Sequence, residues 1–458
     1  MTNFKKKIVA ALSAGIFSFG LNFSAPTQNY FSATSVASAK TLNEDTKKIL
    51  DEKYSGMIGE KGSEVPGLGI IAFKDGKEVY SNFSGRRHIN PDRPMTRNTK
   101  LRIASLSKMF TVFSVLQLVD EGKINLDEDV SKYLGFNLRN PNFPDTPITA
   151  RMLASHTSTI RDGKIYWLKP QYGIEEFFKP GGKVYENGNH FAKQDKDYFE
   201  YCNLNYGILG TIIEKVTGER FDIYQKNHIF KDLDIKADYV VGNLSRKDFK
   251  NLGTIYRKKK GEVWDENFEW TAQSDDFKTQ PPKDGGIIFN TVPKNYKPGT
   301  NATIFSPQGG LRISFEELSH CLQMLMDGGK YKGKQIISPE SFKEMTTPQW
   351  TYDENLKNGD PYGVMYKYGM GIYMIDGDGK ARLCGDEEID FVGHSGEAYG
   401  LISGLYFVPG TKDGLLFAVN GLAVEPDENP KSMGKFGGGY IWEEEMTDPV
   451  GKYIFAEK

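Results

Sequence analysis

LRIASLSKMFTVFSVLQLV, residues 101–119, opens an otherwise apolar, helix-like run with a polar Ser-x-x-Lys, Ser105 and Lys108. Residues three apart share a helix face, so the Ser105 hydroxyl stands beside the Lys108 amine, both against the wall of a buried segment. Desolvation lowers a lysine pKa toward the range of a usable base. The positive end of the helix dipole favours an anion developing near Ser105. Together these features describe an activated serine nucleophile. The competing reading is an ordinary helix start, with Ser105 as N-cap and Lys108 in solvent. By residue frequency a chain of this length holds on the order of two such tetrapeptides by chance. A second does occur, Ser432 to Lys435 in KSMGKFGGGY, where the glycines deny it a helix. Companions elsewhere in the chain must decide.

Of the 458 residues, 38% are hydrophobic and 13% aromatic, ample for a packed core. The first residues predict a secretory signal over 1–39: Lys5, Lys6 and Lys7, an apolar run from Ile8 to about Phe23, then Ala37-Ser38-Ala39 as a small-residue cleavage site. The alternative is an uncleaved amino-terminal anchor. No cysteine lies near this segment, which excludes a lipoprotein anchor. Cleavage would remove three lysines and no acid from 58 Lys+Arg and 60 Asp+Glu, leaving a net charge of about -5. A weakly acidic surface argues against a nucleic-acid partner. Three cysteines, Cys202, Cys321 and Cys384, form at most one disulfide and leave a free thiol. Six histidines lack metal-ligand spacing, so neither a metal nor a cofactor is expected.

Asn43 to about Ile58 reads as an amphipathic helix, and Pro66 to Phe83 as a β-hairpin around Lys74-Asp75-Gly76-Lys77. The opening helix ends at Gly122, suited to a C-cap. Short helices follow at 124–134 and 148–156, then a long irregular stretch, 162–199, of the kind that covers a site. Asn203 to Thr217 is a strongly apolar helix closed by Gly218; 243–307 is again irregular and reads as a lid or substrate wall. Helices at 316–326 and 338–345 precede strand-like runs at 368–375, 380–384, 398–408 and 414–420. The simplest architecture is α+β: an antiparallel sheet built from both chain ends and flanked by helices, with a mostly helical region inserted.

A serine nucleophile needs a second proton handler and an oxyanion hole. Tyr201-Cys202-Asn203 qualifies, because it immediately precedes the buried helix at 203–217. Tyr80-Ser81-Asn82 and Tyr185-Glu186-Asn187 repeat the spacing, in a strand and a loop, and read as coincidence. The third element is Gly393-His394-Ser395-Gly396, at a strand edge where glycine permits close backbone approach. Ser-x-x-Lys, Tyr-x-Asn and His-Ser-Gly in that order resemble the serine β-lactamase and penicillin-binding protein superfamily, in the branch of class C β-lactamases, D,D-peptidases and related esterases. The likeness extends over nearly the whole mature chain, including PGLGIIAFKDGKEVY, ITARMLASHTS and GHSGEAYGLISGLYFVPG.

The resemblance implies a single β-lactamase/transpeptidase-like domain over 40–458, its α/β part about 40–110 and 305–458 and its helical part about 111–304. It makes Ser105 the acylated nucleophile, Lys108 the base and Tyr201 a proton shuttle. Asn203, His394, Ser395 and Gly396 become substrate-binding residues, and the backbone N–H groups of Ser105 and Glu397 the oxyanion hole. It further implies an exported serine hydrolase of the bacterial cell envelope, acting on a small-molecule or cell-wall acyl substrate such as D-alanyl groups of peptidoglycan or teichoic acid. Two departures stand out. His394 replaces the lysine usual in β-lactamases and D,D-peptidases; histidine is mostly neutral at pH 7 unless its pKa is raised. This shifts the expected substrate toward an ester or D-amino-acyl compound, with a β-lactamase or D,D-carboxypeptidase and a non-catalytic penicillin-binding sensor as alternatives. Thr159 stands where relatives commonly carry glycine, read as a local loop change. Cys202 reads as a small buried residue, with a redox switch as the alternative.

Overall fold

The computed structural model describes residues 42–59, 64–275, 292–359, 363–426, 433–436 and 440–456. The expected signal at 1–39 and Ser432 of the second Ser-x-x-Lys lie outside the described residues. In chain order, α1 (Glu44–Ser55) precedes the hairpin β1 (Gly67–Lys74) and β2 (Lys77–His88), then β3 (Arg93–Pro94), β4 (Lys100–Arg102) and α2 (Ser107–Asp120). The middle carries α3 (Ser131–Leu134), α4 (Ala150–Ala154), α5 (Leu204–Thr217), α6 (Phe221–Tyr224) and α7 (Arg246–Lys250), followed by β5 (Ile255–Lys260), β6 (Val263–Trp264) and β7 (Trp270–Ser274). Next come β8 (Arg312–Ser314), α8 (Phe315–Met326), a small hairpin β9 (Lys330–Tyr331) and β10 (Lys334–Gln335), and α9 (Pro339–Thr346). The chain finishes with β11 (Trp350–Thr351), β12 (Lys367–Tyr368), β13 (Tyr373–Ile375), β14 (Phe391–Ala398), β15 (Leu401–Phe407), β16 (Gly414–Val419), β17 (Gly421–Leu422) and α10 (Ile441–Val450).

Nine strands form one antiparallel sheet in the order β11-β12-β13-β14-β15-β16-β1-β2-β3, so both chain ends meet where β1 pairs with β16. Successive strand residues point to opposite faces, and here both faces are covered. Leu68, Ile70, Phe417 and Val419 pack with Leu50 and Tyr54 of α1 and Met446 of α10. On the other face Ile71, Leu416 and Ala418 pack with α2, α5 and α8. That is why these strands read as continuous apolar runs rather than clean alternations. Each fully buried phenylalanine of α2, Phe110 and Phe113, contributes about 2–3 kcal/mol of burial. Helix α8 starts on the capping box of Ser314 and Glu317, and α5 ends on left-handed Gly218.

Three places differ from the sequence reading. The region 111–304 is not helical throughout: β5 pairs antiparallel with β7 and parallel with β17, in a stretch, IYRKKK, whose run of charged residues shows no clean alternation. Residues 380–384 form turns instead of a strand, because Arg382 donates to the Gly385 and Gly379 carbonyls and Cys384 is left-handed (φ 61). Helix α10 falls in what reads as an all-strand ending. Cys202, Cys321 and Cys384 are buried free thiols.

Candidate active site

Strand β13 pairs with β14 only as far as Gly393, so beyond it the edge of β14 meets the turn Ala104–Leu106. This turn lifts Ser105 out of the core. Strand β4 anchors it on one side by pairing with β8. Ala104 is left-handed (φ 48), a conformation that costs an alanine roughly 1 kcal/mol or more. The Ser107 hydroxyl donates to the Ala104 carbonyl (2.7 Å) and accepts from Leu311 N (3.2 Å), closing the turn. Ser105 is therefore in a tight 3-10 turn ahead of α2, not an N-cap with a side-chain capping bond.

One turn along, Lys108 is completely buried. Its Nζ lies 2.9 Å from Ser105 Oγ, 2.9 Å from Asn203 Oδ1 and 3.2 Å from the Gln308 carbonyl. Two of these partners only accept. A neutral amine that donates its two N–H groups to Asn203 and Gln308 keeps its lone pair for the third neighbour, the Ser105 hydroxyl. Burial pushes the Lys108 pKa down to about 7, against a smaller upward pull from Asp162 and Cys202. The Tyr201 and Tyr206 rings flank the amine, with centroids 4.7 and 5.3 Å from Nζ; their negative faces ease the ammonium form.

Asn203 is held in one orientation by Asp162. Its Nδ2 donates to Asp162 Oδ2 (2.9 Å), which turns Oδ1 toward Lys108, and Asp162 also accepts from the Asn203 and Leu204 backbone N–H groups (2.9 and 2.8 Å). Asp162 thus supplies from a distant loop the cap that α5 lacks in its own sequence. Asp162 opens the irregular stretch 162–199 that reads as covering a site, but nothing in the sequence marks this aspartate as the partner of Asn203. The Gln308 carbonyl goes unmarked as well, since a backbone acceptor leaves no residue signature.

Gly396 packs directly on the nucleophile turn. A Cβ there would lie 2.5 Å from the Ile103 carbonyl oxygen and 3.1 Å from Ser105 N, so only glycine lets β14 approach. Ser403 Oγ bridges the two segments by donating to the Ile103 carbonyl (3.1 Å). Glu397 follows on the same strand, with its carboxylate 3.4 Å from Arg257 of β5. The turn after it, left-handed Tyr399 and Gly400, sits against the β5 backbone at Tyr256. Arg102 lies 4.7 Å from the centre of the Tyr399 ring.

The remaining motif side chains are placed differently. His394 is completely buried, its Nε2 3.0 Å from the Tyr368 hydroxyl and its Nδ1 against the Ser395 carbonyl. Burial, with Lys108 nearby, pushes its pKa down to about 3, so the ring is neutral at pH 7. Ser395 is buried on β14. Tyr201, whose ring already flanks Lys108, lies tilted against His156, ring centres 4.3 Å apart. The other Tyr-x-Asn matches lie elsewhere: Tyr80 and Asn82 both bind Asp51 of α1. Thr159 is left-handed (φ 62), which explains why a glycine suits that position. Burial pushes the Cys202 thiol well up, the opposite of a reactive cysteine.

The family model described as Beta-lactamase matches residues 56–435. The chain belongs to the beta-lactamase family. Within the serine β-lactamase and penicillin-binding protein superfamily, Protein flp of Staphylococcus aureus is 30% identical over 197 residues, covering 43% of this chain and 38% of its own length. The match thus spans well under half of that relative. N-acetylmuramyl-L-alanine amidase of Bacillus subtilis is 24% identical over 373 residues, 75% of this chain and 77% of that protein. Two solved structures share the fold. The octameric penicillin-binding protein homologue from Pyrococcus abyssi has a TM-score of 0.57 at 22% identity, over 83% of this chain and 74% of its own. D-amino acid amidase from Ochrobactrum anthropi SV3, complexed with D-phenylalanine, has a TM-score of 0.61 at 18% identity, over 90% of this chain and 100% of its own. The fold is the α+β β-lactamase/transpeptidase type.

Proposed function

We propose that this chain is an exported serine hydrolase that forms an acyl-enzyme on Ser105 and cleaves an ester or D-amino-acyl bond in the cell envelope. The observation that carries the reading is the placement of Lys108: a desolvated amine, 2.9 Å from Ser105 Oγ, whose other two neighbours are carbonyl acceptors. In the first step the Lys108 lone pair takes the Ser105 hydroxyl proton and Oγ bonds to the substrate carbonyl carbon. The carbonyl π pair moves onto oxygen, held by the Ser105 and Glu397 N–H groups. Collapse of this intermediate breaks the bond to the leaving alcohol or amine, which takes a proton through Tyr201. Water then attacks the acyl carbon, its proton passing to the same relay, and the carbon–Oγ bond breaks as the relay returns that proton to Ser105 Oγ. Asn203, fixed by Asp162, holds the acyl side.

His394 favours this substrate class over a β-lactam or peptide carboxylate. A neutral, enclosed imidazole offers no cation to a substrate carboxylate where a lysine would. The test is turnover of a chromogenic short-chain ester, with intact-mass detection of an adduct on Ser105. Ser105→Ala is expected to abolish both; unchanged turnover in that variant overturns the mechanism. A chromogenic cephalosporin hydrolysed as fast as the ester would move the assignment to a β-lactamase. A stable adduct without turnover would move it to a sensor.

A further inference from the structure

Beside the second oxyanion donor stands a cation that the proposed reaction does not use. Arg257 of β5 places one terminal nitrogen 3.4 Å from the Glu397 carboxylate, looser than the roughly 2.7–2.9 Å of a charge-assisted hydrogen bond. Its guanidinium carbon lies 5.0 Å from the centre of the Trp264 ring of β6 and 5.8 Å from that of Tyr399. The Tyr399 ring, 38% exposed, has Arg102 as its second guanidinium neighbour at 4.7 Å. Arg102 stands on β4, which leads into the Ser105 turn. A glutamate side chain reaches at most about 6 Å from its own backbone nitrogen. With the 3.4 Å contact, the Arg257 fork therefore lies no more than about 9 Å from the Glu397 N–H, within the span of a small substrate.

The fold holds this arginine in place more firmly than its own bonds require. Strand β5 pairs with β7 on one side and β17 on the other. A Cβ on Gly400 would lie 2.0 Å from the Tyr256 carbonyl oxygen and 2.9 Å from Arg257 Cγ, so the turn after Glu397 is fitted closely to this strand. Yet the Arg257 Nε–H is buried with no hydrogen-bond partner among the described residues, and the side chain as a whole is 21% exposed. An unbonded buried N–H is costly, and an ion pair as long and exposed as this one contributes little. A purely structural pair with Glu397 does not account for that arrangement. A guanidinium fixed by aromatic contacts suits two-point binding of a carboxylate, and it enters from β5 rather than from the position of the neutral His394.

We propose that Arg257 is a specificity-determining residue: its guanidinium binds a carboxylate carried by the substrate beside the carbonyl that Ser105 attacks, displacing the loose contact with Glu397. The inference rests on the acyl-enzyme reading and names a charged group on its substrate, so the wild-type protein is first shown to turn over 4-nitrophenyl hexanoate and to form the Ser105 adduct. Failure there counts against that reading, not against this one. The measurement is then kcat/KM for mono-4-nitrophenyl adipate, which adds a carboxylate at the end of the same acyl chain, divided by kcat/KM for the hexanoate. A third ester, 3-carboxy-4-nitrophenyl hexanoate, carries the carboxylate on the leaving side and shows which end Arg257 reads. Taken within one preparation, the ratio is independent of the folded fraction. Wild type is expected to prefer one carboxylate ester by at least about 10-fold, and Arg257→Gln to lower that ratio by about 10- to 100-fold. Arg257→Lys, which keeps the charge without the fork, is expected to lose about 3- to 10-fold. Glu397→Gln removes the competing carboxylate and is expected to raise the ratio by a similar factor.

The inference is overturned if wild type shows no preference for either carboxylate ester over the neutral one. Equal losses on all three esters in Arg257→Gln overturn it too, since that is the result of an arginine that only supports β14. Should Arg257→Gln fail to fold, Arg257→Lys decides alone, and an unchanged ratio there refutes the role.

Discussion

Asp162→Asn separates two jobs that one carboxylate performs. Asp162 orients Asn203 through its side-chain amide and holds two N–H groups at the start of α5. It also favours the charged form of Lys108 from a short distance. Two hydrogen bonds of 2.9 Å and an amide about 2 Å across separate the carboxylate from Nζ by at most about 8 Å. At an effective dielectric constant of about 20, that is about 2 kcal/mol of attraction. Undiscounted, it corresponds to about 1.5 pH units. Asp162 is partly exposed, and screening reduces this to about one unit. The sign follows directly: a removed negative charge makes the ammonium easier to deprotonate, so the Lys108 pKa falls below about 7. The acid limb of kcat/KM therefore moves down by about one pH unit. The level of activity falls too, because an asparagine at 162 sets N–H donors against the Asn203 amide and turns its oxygen away from Lys108. Misplacement of this kind costs about 100-fold. The assay is kcat/KM for the chromogenic ester from pH 5 to 9. A limb that stays put or rises, with activity within threefold of wild type, refutes the arrangement.

Gly396→Ala should lower kcat/KM by at least about 100-fold, since its Cβ would lie 2.5 Å from the Ile103 carbonyl and 2.6 Å from Ser403 Oγ; near-wild-type kinetics would place the oxyanion site elsewhere. Glu317→Ala strips the buried Lys100 of its 2.5 Å partner and α8 of its capping box, at an expected cost of about 3–5 kcal/mol in urea unfolding. Because Lys100 and Ser314 hold the Glu317 carboxyl below the usual range, its contribution is present above the unfolded pKa of about 4.3 and lost as pH falls through the folded value. The gap between wild type and variant should accordingly narrow on acidification, and a gap that widens contradicts the assignment.

Much of this architecture was legible because its signals are local and physical. The hairpin of β1 and β2 announces itself by its turn, α8 by its serine cap and α5 by its closing glycine. The order of three short motifs placed Ser105, Lys108, Tyr201 and Asn203 in one site although 95 residues separate Lys108 from Asn203. What stayed hidden depends on tertiary packing. Asp162 resembles any loop aspartate until α5 docks its open end against it. His394 reads as a substrate contact in a motif, yet the short β13 leaves its ring to turn in beneath Tyr368. Strand β5 reads IYRKKK with Lys258 buried, so its charges blur the period, and α10 is hard to read because its inward face sets Glu443 and Glu444 among Met446 and Val450.

The base itself should carry a stability cost that a substitution can reveal. Lys108 is fully enclosed and its pKa is pushed from 10.5 down to about 7, a difference on the order of 4–5 kcal/mol between the protonation states. The folded pKa lies below the unfolded one, so the penalty is fully present below about pH 7 and vanishes above about 10.5. Lys108→Met keeps the length and apolar stem of the side chain and removes the titrating group. It also leaves Asn203 Oδ1 and the Gln308 carbonyl without their donor, at about 1–3 kcal/mol each. The net change at any one pH is therefore small and of either sign, but its slope is fixed: relative to wild type, the variant is most favoured in acid and loses that advantage as pH rises toward 10. Urea unfolding of both proteins at pH 6, 8 and 10, beside an activity assay in which Lys108→Met is inactive, reads that slope. A variant that gains on wild type with rising pH would mean that Lys108 is held as an ammonium in the folded protein, and the neutral-amine mechanism would fall with it.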